Sequence, residues 1–404
     1  MAGGGARLPM GEDIQIAVGL PCRTPRLRTF WRLVMNTLAM LLAACACMLL
    51  LQCDARADDD LTWYDATSFR IEGKGWQDTE SFFERLPARA SSQLNEDLVG
   101  LAKLSAGMAI RFATDSGTLR VRWSLGDNAY VMDHMAATGT SGLDLYLKAA
   151  DGRWAYAGTG RPDDRRDNEA TFFANRPKGD RTYLLYLPLF NRLTSLSIGV
   201  TAGSHFATVE NGAGKSVVFY GTSIVHGGCA SRPGMAYPAI IGRALDCETI
   251  NLGFSGAARM EPAVCDLLAE LDPDVYVIDA LPNMGSDPIT DRTLNLVRTI
   301  RKSRPSTPII LAENITYQTG RAFGSDGSYE RGINAQLRLA YEQLLAEGHT
   351  GMFYLEGAGL LGTDGEGTVD GTHPTDLGFS RMAQVIGPVV SRALANRPST
   401  GAAP

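Results

Sequence analysis

Ser223 stands in Gly221-Thr222-Ser223, just past the apolar run Ser216–Tyr220, and Asp370-Gly371-Thr372-His373-Pro374 lies near the far end of the chain. A serine hydroxyl becomes a nucleophile when a base takes its proton, and that base needs an acid to orient it. Asp370 and His373 are three residues apart, so one turn can join carboxylate and imidazole, and Pro374 fixes the chain direction behind them. Attack on a carbonyl also creates an oxyanion, which needs hydrogen-bond donors. Glycine at 253 lets a backbone N–H approach a substrate, Asn283 offers a side-chain amide, and Ser223 adds its own N–H at a strand-to-helix junction. Each of these has a bland reading: a turn serine, a turn glycine, a satisfied loop amide, a capped helix start. The ordered set points to acyl transfer, with Ser223, Asp370 and His373 as catalytic candidates and Ser223, Gly253 and Asn283 as oxyanion donors.

Positioning such a set requires a rigid frame. After Asn211-Gly212-Ala213-Gly214, a natural linker, strand-like and helix-like runs alternate. The strands are expected over Ser216–Tyr220, Glu248–Leu252, Asp274–Leu281, Pro308–Ala312 and Met352–Leu355. The helices are expected over Ala236–Leu245, Pro262–Leu271, Ile289–Lys302, Glu330–Ala346 and Leu377–Ala393. Five βα units imply a parallel sheet covered on both faces, with ligands bound beyond the carboxyl ends of the strands. Ser223, Gly253 and Asn283 each follow such an end. Between Trp63 and Glu210 the pattern is short alternating runs: Met108–Ala113, Leu119–Leu125, Leu143–Lys148, Trp154–Ala157, Tyr183–Leu187 and Leu193–Val200. Turn signals separate them, and the reading is an all-β sandwich without a long helical period.

The series Gly221-Thr222-Ser223, Gly253, Asn283 and Asp370-x-x-His373 resembles the SGNH (GDSL-like) hydrolase family. Gly142-Leu143-Asp144-Leu145-Tyr146 resembles the Gly-x-Asp-Leu-Tyr motif of the β-sandwich that precedes some bacterial members, and Tyr220–Pro238 is similar to the same subgroup. The resemblance covers roughly residues 62–395. It implies a flavodoxin-like three-layer α/β/α hydrolase domain over 215–395 and a jelly-roll-like sandwich domain over 62–210. It also implies Ser223 as nucleophile, Asp370 and His373 completing the triad, Gly253 and Asn283 as oxyanion donors, and no cofactor. The sequence reads Gly-Thr-Ser where the wider family has Gly-Asp-Ser, and Leu-Pro-Asn-Met where it has Gly-x-Asn-Asp. Related two-domain proteins are associated with deacetylation of polysaccharides, so O-acetyl groups on carbohydrate are the implied substrate. A lipase or lysophospholipase, and a non-catalytic carbohydrate-binding protein using Trp123, Trp154 or Tyr146, are the alternatives.

Composition bounds the rest. Hydrophobic content of 45% and charged content of 20% suit a globular chain. Without residues 1–57 the balance is 32 basic to 41 acidic residues, which leaves no electrostatic footprint for nucleic acid. Arg23, Arg26, Arg28 and Arg32, the apolar run Leu38–Leu51 and Ala55-Arg56-Ala57 read as a cleavable export signal. An uncleaved anchor, or a lipoprotein at Cys53, are the other readings, and either would confine membrane contact to this segment. Residues 396–404 read as a disordered tail. Cys229, Cys247 and Cys265 are expected as buried packing residues, with at most one disulfide. The five histidines show no zinc-ligand spacing. His226 is the rival base but is expected to point away from Ser223; His134 and His205 read as structural. Glu313 and Arg232 are candidate substrate contacts or ordinary structural ion-pair partners.

Overall fold

The computed structural model describes residues 60–126, 129–163, 165–211 and 214–396, with Met35 isolated upstream. The expected export signal, the centre of the 211–214 linker and the tail beyond 396 lie outside the described residues. No helix among the described residues is long and apolar enough to cross a membrane.

The alternating runs upstream of Glu210 fold as two antiparallel sheets. One has the spatial order β1 (Leu61–Asp65), β8 (Leu193–Thr201), β3 (Leu119–Leu125), β6 (Asp167–Phe173). The other has the order β5 (Trp154–Gly160), β4 (Leu143–Lys148), β7 (Arg181–Tyr186), β2 (Ala109–Thr114), β9 (Phe206–Thr208). In β3 every second side chain is buried, and Val121 and Trp123 meet Ile110, Leu145 and Leu185 of the facing sheet. The strands that sequence pattern did not anticipate, β1, β6 and β9, are all sheet edges, where a strand needs no second apolar face. Two short helices interrupt the sandwich: α1 (Glu96–Ala102), capped by Asn95, and α2 (Ala137–Thr140).

From Ser216 the chain builds a parallel sheet of order β11 (Glu248–Gly253), β10 (Ser216–Gly221), β12 (Val275–Asp279), β13 (Ile309–Ala312), β14 (Met352–Leu355). Numbered within the sheet this is 2-1-3-4-5, the doubly wound flavodoxin-like order. The strands are buried on both faces, and their residues alternate between two cores. Val217, Phe219 and Val277 pack with Tyr237 and Ile241 of α4 (Tyr237–Leu245) and Phe379 and Met382 of α8 (Asp376–Ala395). Val218, Tyr220 and Ile278 pack with α5 (Pro262–Glu270), α6 (Ile289–Ser303) and α7 (Ser328–Ala346). The one-turn helix α3 (Ser223–His226) follows β10.

These cores do not stop at the linker. Trp76, Leu86 and Leu98 join the α5–α7 layer, and Leu104, Leu189 and Phe190 join the α4–α8 layer. Full burial of a leucine contributes roughly 1.5–3 kcal/mol, so the segment before β2, together with Leu189 and Phe190 after β7, belongs energetically to the parallel sheet. Arg85 goes further. Fully buried, it donates from Nη1 to the carbonyls of Asn251 (3.2 Å) and Gly253 (2.7 Å), and from Nη2 to Leu101 (2.6 Å). Burial without a carboxylate partner pushes the guanidinium down to about 9.

The Gly-x-Asp-Leu-Tyr motif explains itself at the same seam. A Cβ at Gly142 would lie 2.4 Å from the Thr138 carbonyl oxygen, so only glycine fits there. Leu145 fills the sandwich core. Asp144, fully buried, accepts from Arg232 Nη1 at 2.6 Å and from the Gly234 N–H at 2.9 Å. Tyr146 accepts from Arg232 at 2.5 Å, and Arg243 lies over its ring at 3.8 Å. The motif therefore clamps the loop that follows α3, and Arg232 is a half-buried partner of the buried Asp144 carboxylate. Asp144→Ala removes the carboxylate that holds Arg232 and the Gly234 N–H, and because Arg232 is partly solvated we expect a loss of about 2–3 kcal/mol in urea unfolding. Unchanged stability would show that the clamp is not holding the seam.

Candidate active site

β10 ends at Gly221, paired in register with Gly253 of β11 on one side and Asp279 of β12 on the other. That is the switch point of the sheet, where flanking crossovers diverge and leave a crevice. Thr222 caps the start of α3 through Ile224 N–H at 3.3 Å, and Gly227, at φ +105°, ends it after one turn. Ser223 is thereby set on a tight strand-to-helix corner, with its backbone N–H in the unpaired first turn of α3.

The loop after β14 brings the other two candidates. Ser223 Oγ lies 2.9 Å from His373 Nε2, and His373 Nδ1 lies 2.7 Å from Asp370 Oδ2. Asp370 Oδ1 separately accepts the backbone N–H groups of Thr372 (3.0 Å) and His373 (2.7 Å), which locks the carboxylate in place. Burial alone would raise the Asp370 carboxyl, but the hydrogen bonds from His373 and Thr372 outweigh it and hold it down at about 2. The Asp-x-x-His turn expected from sequence is therefore formed, and it meets Ser223.

The expected oxyanion donors divide. Asn283 sits in the turn after β12, and its Nδ2 reaches the Phe254 carbonyl at 3.3 Å, leaving its second N–H available. Gly253 is different. Its N–H is committed to Asn251 Oδ1 at 2.9 Å, and a Cβ there would lie 2.1 Å from the His226 nitrogen. It is a glycine so that β11 can press against α3, not so that an N–H can face a substrate. Gly256, three residues along the same loop, is exposed, adopts φ +71°, and has an N–H without a backbone partner among the described residues. Sequence reading took the first glycine after the strand, and nothing in composition distinguishes the two.

His226 is fully buried, with Nε2 2.7 Å from the Leu189 carbonyl and its ring stacked on Phe190 at 3.9 Å. Burial, then the nearby Arg85 charge, hold it well below the usual imidazole range. It points away from Ser223 and is structural. Glu313 accepts from Tyr354 Oη at 2.6 Å and the Gly357 N–H at 3.0 Å, so it fastens β13 to β14 and the loop beyond. Trp123 lies in the sandwich core. His134 is the residue that sequence misplaced: its ring lies 5.6 Å from that of His373. Cys229 adjoins both. Its thiol is raised to about 12 by burial and by the carboxylates of Asp370 and Asp133. All three cysteines of residues 60–396 are free and buried, so no disulfide forms among them.

Behind the site, Asp279 is buried at the end of β12 and accepts from Tyr237 Oη at 3.0 Å. Desolvation outweighs that bond and raises it to about 6. The folded state thus holds a proton that the unfolded chain gives up near pH 4. Stability contributed by this group is present below about pH 4 and is lost as pH rises to about 6, after which it is flat. Asp279→Asn removes that loss. We expect it to be more stable than the parent at pH 8 by up to about 3 kcal/mol and no more stable at pH 4. Parallel unfolding curves at all pH values would contradict the raised value.

A serine, an imidazole and a carboxylate therefore lie hydrogen-bonded in sequence at the switch point of a doubly wound sheet. Residues 214–391 match the GDSL-like lipase/acylhydrolase family, and residues 61–206 match the N-terminus of SGNH hydrolase-type esterases. A protein of Bacteroides ovatus ATCC 8483 classed as a GDSL-like lipase is 37% identical, covering 83% of this chain and 98% of its own, with a TM-score of 0.78. The chain belongs to the GDSL-like (SGNH) lipase/acylhydrolase family, and with it to the ester hydrolases. The fold is shared by the salicylyl-acyltransferase SsfX3 from a tetracycline biosynthetic pathway, at 21% identity over 84% and 96% of the two chains, TM-score 0.65. It is shared also by a family two carbohydrate esterase from Cellvibrio japonicus, at 14% identity over 83% and 98%, TM-score 0.54. No curated protein sequence matches the chain significantly.

Proposed function

We propose that the chain hydrolyses carboxylic esters through Ser223, His373 and Asp370, and that its natural substrates are O-acetyl groups on carbohydrate. The unbroken hydrogen-bonded series from Ser223 Oγ through His373 to Asp370 carries this reading. His373 Nε2 takes the hydroxyl proton as Oγ bonds to the ester carbon, and the carbonyl electron pair moves onto oxygen. The Ser223 N–H, the Gly256 N–H and the Asn283 amide hold that oxyanion, with Gly256 in the role expected of Gly253. His373 then protonates the departing alcohol. Water, deprotonated by the same imidazole, attacks the acyl-enzyme and releases the acid. The chain itself supplies every group the reaction needs.

A small acyl group is favoured by the close approach of the loop after α3. A Cβ at Gly228 would lie 3.5 Å from Ser223 Cβ and 3.3 Å from His373 Cδ2, so little room separates that loop from the reacting atoms. The sandwich seated beside the site and the export signal expected at residues 1–57 favour an extracellular or periplasmic glycan as the alcohol. Steady-state rates on p-nitrophenyl acetate, butyrate and octanoate test the acyl preference. We expect acetate to be fastest and octanoate slowest. A preference for octanoate would make the protein a lipase-like acyl hydrolase, and absence of turnover on all three would favour a glycan-binding role.

A further inference from the structure

The sequence shows no zinc-ligand spacing, yet three segments far apart in the chain place metal-ligating atoms together. One atom each from His134, Cys229 and His373 lies within 4.8 Å of the others. His134 comes from the loop before α2, Cys229 from the loop after α3, and His373 from the turn before α8. Spacing rules read ligands from one or two short motifs, so a site assembled from three loops is invisible to them.

Two further observations single out this cluster. Both imidazoles hold Nδ1 against a carboxylate, His134 on Asp133 at 2.8 Å and His373 on Asp370 at 2.7 Å. That arrangement fixes the ring and presents Nε2, as carboxylate partners do for metal-bound histidines. Cys229 holds φ +71°, one of four non-glycine residues with positive φ among the described residues, and the others are Asn175, Asp246 and Met260. A left-handed backbone is strained for cysteine, and such strain gathers at functional sites.

We propose that His134, Cys229 and His373 form a site of two imidazole nitrogens and one thiolate sulfur for a zinc-type divalent cation, and that its occupancy reversibly switches off the serine site. Tetrahedral zinc with bonds of about 2.0–2.3 Å keeps its ligands roughly 3.3–3.8 Å apart. The three side chains therefore draw together by about 1 Å, motion available to the partly exposed His134 loop. The Cys229 S–H proton is released to solvent as the bond from zinc to sulfur forms. His373 Nε2, now bonded to the metal, no longer accepts from Ser223 Oγ, so the hydroxyl loses its base. This regulation rests on the triad reading above, whereas the metal site itself does not.

The test uses purified, chelator-stripped protein titrated with Co2+ and with Zn2+ alone. We expect a cobalt–thiolate charge-transfer band in the wild type and in Ser223→Ala, absent in Cys229→Ser. We also expect Zn2+ to inhibit p-nitrophenyl acetate turnover, reversibly with EDTA, and Cys229→Ser and His134→Gln each to raise the half-inhibiting concentration by about tenfold or more. His134→Gln lies on a partly exposed loop and keeps the test informative should Cys229→Ser fold poorly. Zinc sensitivity unchanged from the wild type in both variants, or no thiolate band in the wild type, overturns the site. A thiolate band with zinc-insensitive turnover overturns the switch. A band in a protein without any esterase activity retains the site and counts against the triad reading instead.

Discussion

Ser223→Ala is expected to lower kcat on p-nitrophenyl acetate by about three orders of magnitude or more, with a much smaller change in KM. The group removed is a single hydroxyl on a strand-to-helix corner fixed by Thr222 and Gly227, and it bonds to His373. The variant should therefore keep the parent's urea midpoint. The Ser223 N–H, Gly256 and Asn283 remain, so a residual rate above background persists by water attack on a bound, polarised ester. Retention of more than a tenth of parental kcat by a folded variant would mean that another group attacks the ester. His226 is not that group, because its Nε2 is held by the Leu189 carbonyl.

Asp370→Asn should cost on the same scale, about 10^4-fold in kcat, as seen when a triad carboxylate becomes an amide elsewhere. The reason lies in how the carboxylate is used. Oδ1 accepts two backbone N–H groups, from Thr372 and His373, and Oδ2 faces His373 Nδ1. An asparagine keeps its oxygen on the backbone donors and turns its NH2 toward Nδ1. Nδ1 must then accept, Nε2 carries the proton, and the imidazole meets Ser223 as a donor that cannot take its hydrogen. Because Asp370 is held at about 2, its stabilising ionisation is present above the unfolded value near 4 and is lost only as pH falls through about 2. Activity lost between pH 7 and pH 4 is therefore not caused by protonation of Asp370. A folded Asp370→Asn variant within tenfold of the parent would contradict the triad.

Much of this was legible in the sequence, and the gaps have physical causes. Strands buried on two faces, such as β10 and β12, announce themselves as apolar runs, and the helices between them by their spacing. Edge strands such as β6, Asp167 to Phe173, bury too little to leave a pattern. Asp370 and His373 were readable because one turn joins them. Arg85, His134 and Cys229 were not, because their partners lie scores to hundreds of residues away and only the fold brings them near. Gly253 and Gly256 look alike as letters, and what separates them is a hydrogen bond to Asn251 and the nearness of α3.

The guanidinium of Arg85 sets an order of events during folding. It closes loops of 166 and 168 residues onto the carbonyls of Asn251 and Gly253. Until that closure, β11 ends in bare acceptors and the face beneath it lacks Trp76, Leu86 and Leu98. Contacts of such long range form late, since the chain must lose loop entropy before they return any energy. The segment around Arg85, synthesised first, therefore waits for β11 before its guanidinium can be satisfied.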